Sequence, residues 1–342
     1  MAGLYDEATI AALRSGVKQI FPALSLSAAA EVSLLNVSEN ATFLAHDPGT
    51  EERVVIRVHR PGYHAPEEIE SELAWISDLR AHDVVPTPKP LQIAEGTHLA
   101  RFSAKERTWI AAAFSYFDGD PPAQDDSLVN GFHKLGAINA RLHLHARTWV
   151  RPEGFTRKSW VFETTVGDRP LWGDWRAAPG LTLDGINVLE RVCAELKAVL
   201  DAYGQNESRF GLIHADLRLA NLLDNGQRLA VIDFDDCGFG WFGYDFAAAV
   251  SFIETDPRMS DLQDAWVAGY RSVAHLPAED EAMLPTFVML RRLLLTAWIA
   301  SHSETPEAAE LLDQGYPMGT VTLGERFLAG KPLYPTGRNA PN

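Results

Sequence analysis

The residues whose types and spacing could do chemistry lie together in 211–245, GLIHADLRLANLLDNGQRLAVIDFDDCGFGWFGYD. His214, Asp216 and Asn221 follow the pattern HxDxxxxN, and Asp233 closes the apolar run 229–232. Between them, Asp224-Asn225-Gly226-Gln227 carries the residue types that turns with positive φ require, so 222–223 and 229–232 are expected to pair as a hairpin. A hairpin fixes register, which sets Asn221 at one foot beside Asp233 at the other. A carbonyl and a carboxylate so placed are hard oxygen ligands of the kind Mg²⁺ takes. Asp216 lies on the loop, outside the hairpin, where it can accept the proton of an attacking hydroxyl. Arg218, two residues on, can reach a transferred phosphate. Phosphoryl transfer needs this equipment, because positioning and charge stabilisation supply most of its catalysis. An isolated HxD is common and an exposed Asp is usually just solvated; the ordered combination carries the inference. Asp235 and Asp236 either support the metal from behind or form a solvated turn.

This segment resembles the catalytic and metal-binding loops of the protein-kinase-like superfamily. It most resembles the aminoglycoside phosphotransferase and choline kinase branch, where HGDxxxxN precedes a hairpin and an Asp-containing segment. The stretches 56–62 (IRVHRPG) and 298–302 (WIASH) look like members loosely called homoserine-kinase-like phosphotransferases. The resemblance implies Asp216 as catalytic base, Asn221 and Asp233 as Mg²⁺ ligands, and His214 as a brace for the loop. It implies Asp245 as a structural residue opening a helix, and ATP and Mg²⁺ as cofactors. The chain departs from the pattern in Ala215, where Gly is usual, and in Phe234-Asp235-Asp236, where protein kinases have Phe-Gly. Switching of that segment in the protein-kinase manner is therefore not implied.

Two lobes are needed to position these residues. Residues 5–21 have apolar positions at helical spacing, and 31–36, 41–45 and 52–59 read as three strands of a meander. No GxGxxG is present; the turn Ser38-Glu39-Asn40 resembles the branch's equivalent, whose backbone amides can touch phosphate, and an ordinary hairpin turn fits it equally. The strand 54–58 (VVIRV) resembles the one that carries the phosphate-pairing Lys in kinases. Alternation puts Val55 and Arg57 on one face, Val55 toward adenine and Arg57 toward the phosphates. The helix expected over 66–81 offers Glu72 as the partner of Arg57, with Glu68 one turn earlier. Two further strands, 99–101 and 108–117, lead to a hinge near 114–117, which places Phe114 and Tyr116 at the nucleotide.

The larger lobe reads as helices over 128–149, 181–203, 246–254, 261–273, 279–303 and 306–313. His143 and His145 are two apart and do not share a helix face, so they are packed or surface residues rather than a metal pair. In 151–180, Trp160, Trp172 and Trp175 either hold an amine by cation–π contact or fill a gap against the lobe. Leu290, Leu293, Leu294, Ala297 and Trp298 form a core stripe, and Arg291 and Arg292 beside it either face the substrate cleft or, by default, are solvated. Residues 331–342 are polar, with a disordered end expected.

At 342 residues the chain suits two domains, 1–117 binding nucleotide and 118–342 carrying the catalytic loop, metal and acceptor. The net charge of −16 argues against nucleic acid as a partner and weakly favours a cationic small substrate. No apolar run approaches the length of about 20 residues that spans a bilayer, and the N-terminus is not a signal peptide. Cys193 and Cys237 lack metal-ligand spacing, and a cytoplasmic location is the default. The expected fold is α+β, a two-lobed protein-kinase-like architecture with a small antiparallel-sheet lobe and a larger, mainly helical one. The expected function is ATP- and Mg²⁺-dependent phosphorylation of a small-molecule hydroxyl, on an aminoglycoside, amino alcohol, homoserine or sugar-like acceptor. One alternative is a bacterial stress-response type of Ser/Thr protein kinase, since Arg218 sits where those carry Lys; no activation segment follows Asp233, however. The other is an inactive nucleotide-binding regulatory module, against which the intact Asp216, Asn221 and Asp233 speak.

Overall fold

The computed structural model describes residues 4–94, 96–122, 128–303 and 305–334; the end of the polar tail, 335–342, lies outside them. α1 (Glu7–Gly16) begins where the Asp6 carboxylate accepts a hydrogen bond from Thr9 N. It passes into a 3-10 stretch, Val17–Leu24, which buries Val17, Ile20, Phe21 and Leu24. The α-helical part is thus shorter than the periodicity over 5–21 predicts, because the chain tightens to bury a three-residue repeat.

β1 (Glu31–Val37), β2 (Ala41–Asp47) and β3 (Glu52–Val58) form an antiparallel meander, and α2 (Pro66–Ala81) follows. β4 (Leu99–Ala104) and β5 (Arg107–Ser115) complete a five-stranded sheet in the order β1-β2-β3-β5-β4. Alternation sorts its two faces. Phe43, Val54, Ile56 and Ala111 pack against α1 and the 3-10 stretch, whereas Ala112 and Phe114 join Leu73, Trp75 and Leu79 of α2 in a second core. Val55 packs against that second core too, so β3 turns Val55 and Arg57 to the cleft side.

The rest of the chain is mainly helical. α3 (Leu128–Thr148) precedes β6 (Ser159–Trp160), α4 (Phe162–Thr165), α5 (Leu183–Tyr203) and β7 (Phe210–Ile213). The hairpin β8 (Leu222–Asp224) and β9 (Leu229–Val231) comes next, then β10 (Gly238–Trp241). β10 lies between β6 and β7 in a small sheet, although 238–241 reads as loop in the sequence. Two glycines there explain the difference: a Cβ at Gly238 would meet Lys158 O at 2.4 Å, so the strand exists because its residues are small enough to pair closely.

α6 (Tyr244–Ala249), α7 (Met259–Arg271), α8 (Ala278–Ala282), α9 (Leu284–Ser301), α10 (Pro306–Asp313) and α11 (Tyr316–Leu328) complete the fold. α3 and α7 cross in backbone contact, since a Cβ on Gly269 would lie 1.9 Å from His133 O. α11 is absent from the sequence reading, because Gly315, Pro317, Gly319 and Gly324 depress its propensity; Gly324 is there to let α11 close on Val192 and Leu189 of α5. Ala278–Ser301 is long and apolar enough to cross a membrane, contrary to the expectation that no run approaches that length. Its most apolar window is 78% buried, as the central helix of the larger lobe.

Candidate active site

The loop after β7 is fixed from below by Asp245 at the start of α6. One oxygen of its carboxylate accepts from Ala215 N at 2.7 Å; the other accepts from His214 N at 3.3 Å and faces His143 Nε2 at 3.0 Å. His143, His214 and Asp245 are fully buried, and His143 Nδ1 meets Tyr270 Oη at 3.1 Å. His143 is therefore a packed strut, as its spacing implied. Ala215 adopts φ +65°, a left-handed conformation in which a Cβ costs on the order of 1 kcal/mol. This explains why the departure from Gly is tolerated: both peptide groups of Ala215 are tied down, the carbonyl accepting from Arg291 Nη1 at 3.1 Å.

The His214 ring joins loop to hairpin. Nδ1 accepts from Asp216 N at 3.3 Å and Nε2 faces Ile232 O at 3.2 Å, which places the proton on Nε2. Burial lowers its pKa, so the ring is neutral. In the hairpin Leu222 pairs with Val231, and Ile232 N donates to Asn221 O at 3.0 Å, which brings Asn221 and Asp233 to adjacent feet.

Asp216 is held from two sides. Asn221 Nδ2 donates to its Oδ2 at 2.9 Å and to its backbone carbonyl at 2.8 Å. Arg291 Nη2 donates to Oδ1 at 2.8 Å, and Arg218 Nε lies 3.5 Å from the same oxygen. With Nδ2 of Asn221 so committed, Oδ1 is the atom left for a cation. Of the two readings of Arg291, the solvated default fails and the cleft-facing one holds: it lines the cavity, is 2% exposed, and also donates to Tyr244 Oη and Ser251 Oγ. Arg292 is likewise buried, paired with Glu254 at 2.6 Å. The signal was present, because two arginines inside an otherwise apolar helix must be paired if that helix is a core helix.

Asp233 sits at φ +61° with its carboxylate open to the cleft, 48% of the side chain exposed. Its depth in the protein and the nearby Asp235 carboxylate push its pKa up to about 7, with Arg57 opposing. Crowded carboxylates beside a free amide oxygen form a donor set that a hard divalent cation fits, since the cation relieves the repulsion. Asp235 is buried within 3.8 Å of Arg57 Nη2 and 3.4 Å of His64 Nε2, so it is no solvated turn.

From the smaller lobe, Arg57 Nη2 donates to both oxygens of Glu72, at 2.6 and 2.7 Å, and its Nη1 stands 3.7 Å from Asp233 Oδ1. Glu68 instead caps α2, accepting from Ala65 N at 2.8 Å. Glu72 is fully buried, so Arg57→Ala strands a charge and is expected to lower unfolding free energy by about 3–5 kcal/mol. Urea unfolding measures that, and Arg57→Lys should recover only part of it, because an ammonium lacks the guanidinium's fork.

Ser38, Asn40, Asp216, Arg218 and Asp233 line one cavity. Val55, Phe114 and Tyr116 are not in its lining: Val55 and Phe114 pair across β3 and β5, and Tyr116 lies under the Arg53 guanidinium, 4.0 Å from its ring centre. Asn40 is buried and its Oδ1 accepts from Arg60 N at 3.0 Å, so its side chain holds the turn that lines the cavity. Glu39, which in the sequence reads only as a residue of the turn, crosses the cleft. Trp298 Nε1 donates to its Oε1 at 3.1 Å, His302 Nε2 lies 3.4 Å away, and Arg60 Nη1 donates to Oε2 at 2.7 Å. No local pattern could announce a contact between residues 259 positions apart.

The tryptophans of 151–180 divide. Trp160 and Trp175 are core residues, whereas Trp172, 8% exposed, lines the cavity.

The family model described as "Phosphotransferase enzyme family" matches residues 32–283. A protein of Deinococcus radiodurans is 29% identical over 81% of this chain and 76% of its own length. A homoserine kinase of Neisseria meningitidis serogroup B is 36% identical, over 45% of this chain and 48% of that protein. The solved structure of a microcompartment-associated aminopropanol kinase is 45% identical, with a TM-score of 0.84 over 92% of this chain and 97% of that one. The amicoumacin kinase hAmiN, solved with AMP-PNP and Ca²⁺, has a TM-score of 0.71 at 20% identity, over 89% and 90% of the two chains, and shares the fold. With a two-lobed kinase-like fold and a carboxylate-lined cleft at the lobe junction, the chain belongs to the phosphotransferase enzyme family and is an ATP-dependent kinase that phosphorylates a small-molecule hydroxyl.

Proposed function

We propose that this enzyme transfers the γ-phosphoryl group of ATP, with Mg²⁺ as the metal, to the hydroxyl of a small amino alcohol. The observation that carries the chemistry is the Asp216 carboxylate, oriented by Arg291 and Asn221 in the cavity it shares with Asp233. Asp216 takes the acceptor proton and aims the oxygen in line. Asn221 Oδ1 and Asp233 would hold Mg²⁺, which when bound neutralises phosphate charge. Arg57 and Arg218 face the phosphates; among the described residues Arg218 Nε makes no hydrogen bond and stands 3.5 Å from Asp216 Oδ1, beside the reacting oxygen. The turn at Ser38 and Asn40 covers the phosphates, and Val55, Phe114 and Tyr116 flank the base. His214 keeps the loop in register. Residues 1–117 serve as the nucleotide lobe and 118–342 as the catalytic lobe.

Three features favour an amino alcohol. Among the described residues the cavity lining holds six carboxylates against two arginines, with Trp172, Phe252 and Trp298 as aromatic walls, which suits a cation. Its volume of about 110 Å³ is enough for an acceptor of a few heavy atoms. A relative 45% identical over nearly the whole chain is named for aminopropanol. ADP release with 1-amino-2-propanol, ethanolamine, choline, homoserine and an aminoglycoside tests the choice. The highest kcat/KM is expected for a small amino alcohol; an optimum on homoserine or an aminoglycoside rejects it.

The raised pKa of Asp233 gives a pH dependence. Below about 7 its carboxylate holds a proton that a cation must displace. Affinity for Mg²⁺ with a non-hydrolysable ATP analogue should therefore weaken as pH falls, approaching about tenfold per unit, and level off above pH 7 to 8. Calorimetry at pH 6, 7 and 8 checks this, and a flat profile contradicts it.

A further inference from the structure

Of the six carboxylates that line the cavity among the described residues, four are already engaged. Glu39 is held by Arg60 and Trp298, Asp216 by Arg291 and Asn221, and Asp235 lies among Arg57 and two histidines. Asp233 stands against Arg57 on the phosphate side. Glu307 is exposed at the rim. Asp236 differs from all of these. Its Oδ1 accepts from Tyr63 Oη at 2.9 Å, and among the described residues it has no salt-bridge partner. Lys158, whose positive charge acts on Asp236 without pairing with it, has its Nζ over the Tyr63 ring, 3.5 Å from the ring centre.

The group is also built into place. Trp172 Nε1 donates to Tyr63 Oη at 3.1 Å, so indole, phenol and carboxylate form a chain of hydrogen bonds. Trp160 Nε1 donates to the Asp236 carbonyl at 2.7 Å, and Arg157 Nε donates to Cys237 O at 2.6 Å. Arg157 Nη2 also donates to Asp235 O. The tryptophan-bearing segment 151–180 thus clamps the backbone on both sides of Asp236 and brings Trp172 to the same cavity wall.

We propose that Asp236 is the specificity-determining residue for the acceptor. Its Oδ2 takes an N–H of the protonated amine, Trp172 walls the site, and Tyr63 is the positioning residue that fixes the carboxylate. The hydroxyl on the neighbouring carbon is then left for Asp216. This rests on the amino-alcohol reading above. The function of 151–180 follows from both of its possible roles at once: two tryptophans pack, and the third meets the substrate.

The test compares 1-amino-2-propanol with 1,2-propanediol, which has a neutral hydroxyl in place of the amine. The ratio of kcat/KM for the amine over the diol is measured for the wild type, Asp236→Asn and Asp236→Glu, with the thermal midpoint of each. Loss of a charged hydrogen-bond partner is expected to cut the ratio by about 10- to 100-fold in Asp236→Asn, through KM for the amine. Asp236→Glu, which keeps the charge, should retain most of the preference, and it serves if the Asn variant does not fold. If the wild type prefers the amine and Asp236→Asn keeps that preference, the assignment to Asp236 is overturned while the amino-alcohol reading stands. If the wild type shows no preference for the amine, both fall.

Discussion

Asp216→Asn is expected to lower kcat by about 10²- to 10⁴-fold while leaving nucleotide affinity within a few-fold. The amide cannot take the acceptor's proton. It also brings a donor where the protein has arranged only donors, Asn221 Nδ2 on one oxygen and Arg291 Nη2 on the other. One of those contacts must become donor against donor, so a stability loss of about 1–3 kcal/mol should accompany the loss of turnover. Single-turnover kinetics with saturating ATP isolates the chemical step, and calorimetry with an ATP analogue reports binding. Near-normal turnover in this variant would remove Asp216 from the centre of the mechanism.

Arg291→Met should have the next largest effect, from a residue that sits in a core helix. The guanidinium satisfies Asp216 Oδ1, the Ala215 carbonyl, Tyr244 Oη and Ser251 Oγ while 2% exposed. Met fills similar space but leaves the Ala215 carbonyl and Asp216 short of a partner. The expected stability loss is about 3–5 kcal/mol. Because the strained Ala215 and the carboxylate proposed as the base lose the same support, kcat should also fall by about 10²-fold. Arg291→Lys keeps the charge without the fork, and should regain stability more fully than turnover. Folded Arg291→Met with wild-type kcat would show that Arg291 supports the core alone.

The arrangement of the proposed catalytic block was legible because its contacts are local. His214, Asp216, Asn221 and Asp233 lie within one loop and one hairpin, so spacing and turn chemistry nearly determine how they meet. The pairing of Arg57 with Glu72 was legible for a related reason: strand alternation and helix periodicity each select one face, and those faces are opposed. What sequence could not show is carried by contacts between distant elements. Arg291 reads as solvated until α9 is known to be the core of its lobe. Glu39 reads as a turn residue until Trp298 arrives from the far end of the chain. Asp236 reads as a support for the metal or as a solvated turn until Tyr63 and Trp172 frame it. α11 was hidden by its glycines, whose low propensity is overridden by close packing on α5.

The most direct test of the central claim is phosphorus NMR of 1-amino-2-propanol incubated with Mg²⁺ and ATP, for the wild type and for Asp216→Asn. The expected result is a new phosphomonoester signal growing in step with ADP in the wild type and absent in the variant. ATP bound but left intact in the presence of this acceptor and its amino-alcohol analogues, or a phosphoester formed equally well by Asp216→Asn, would contradict it.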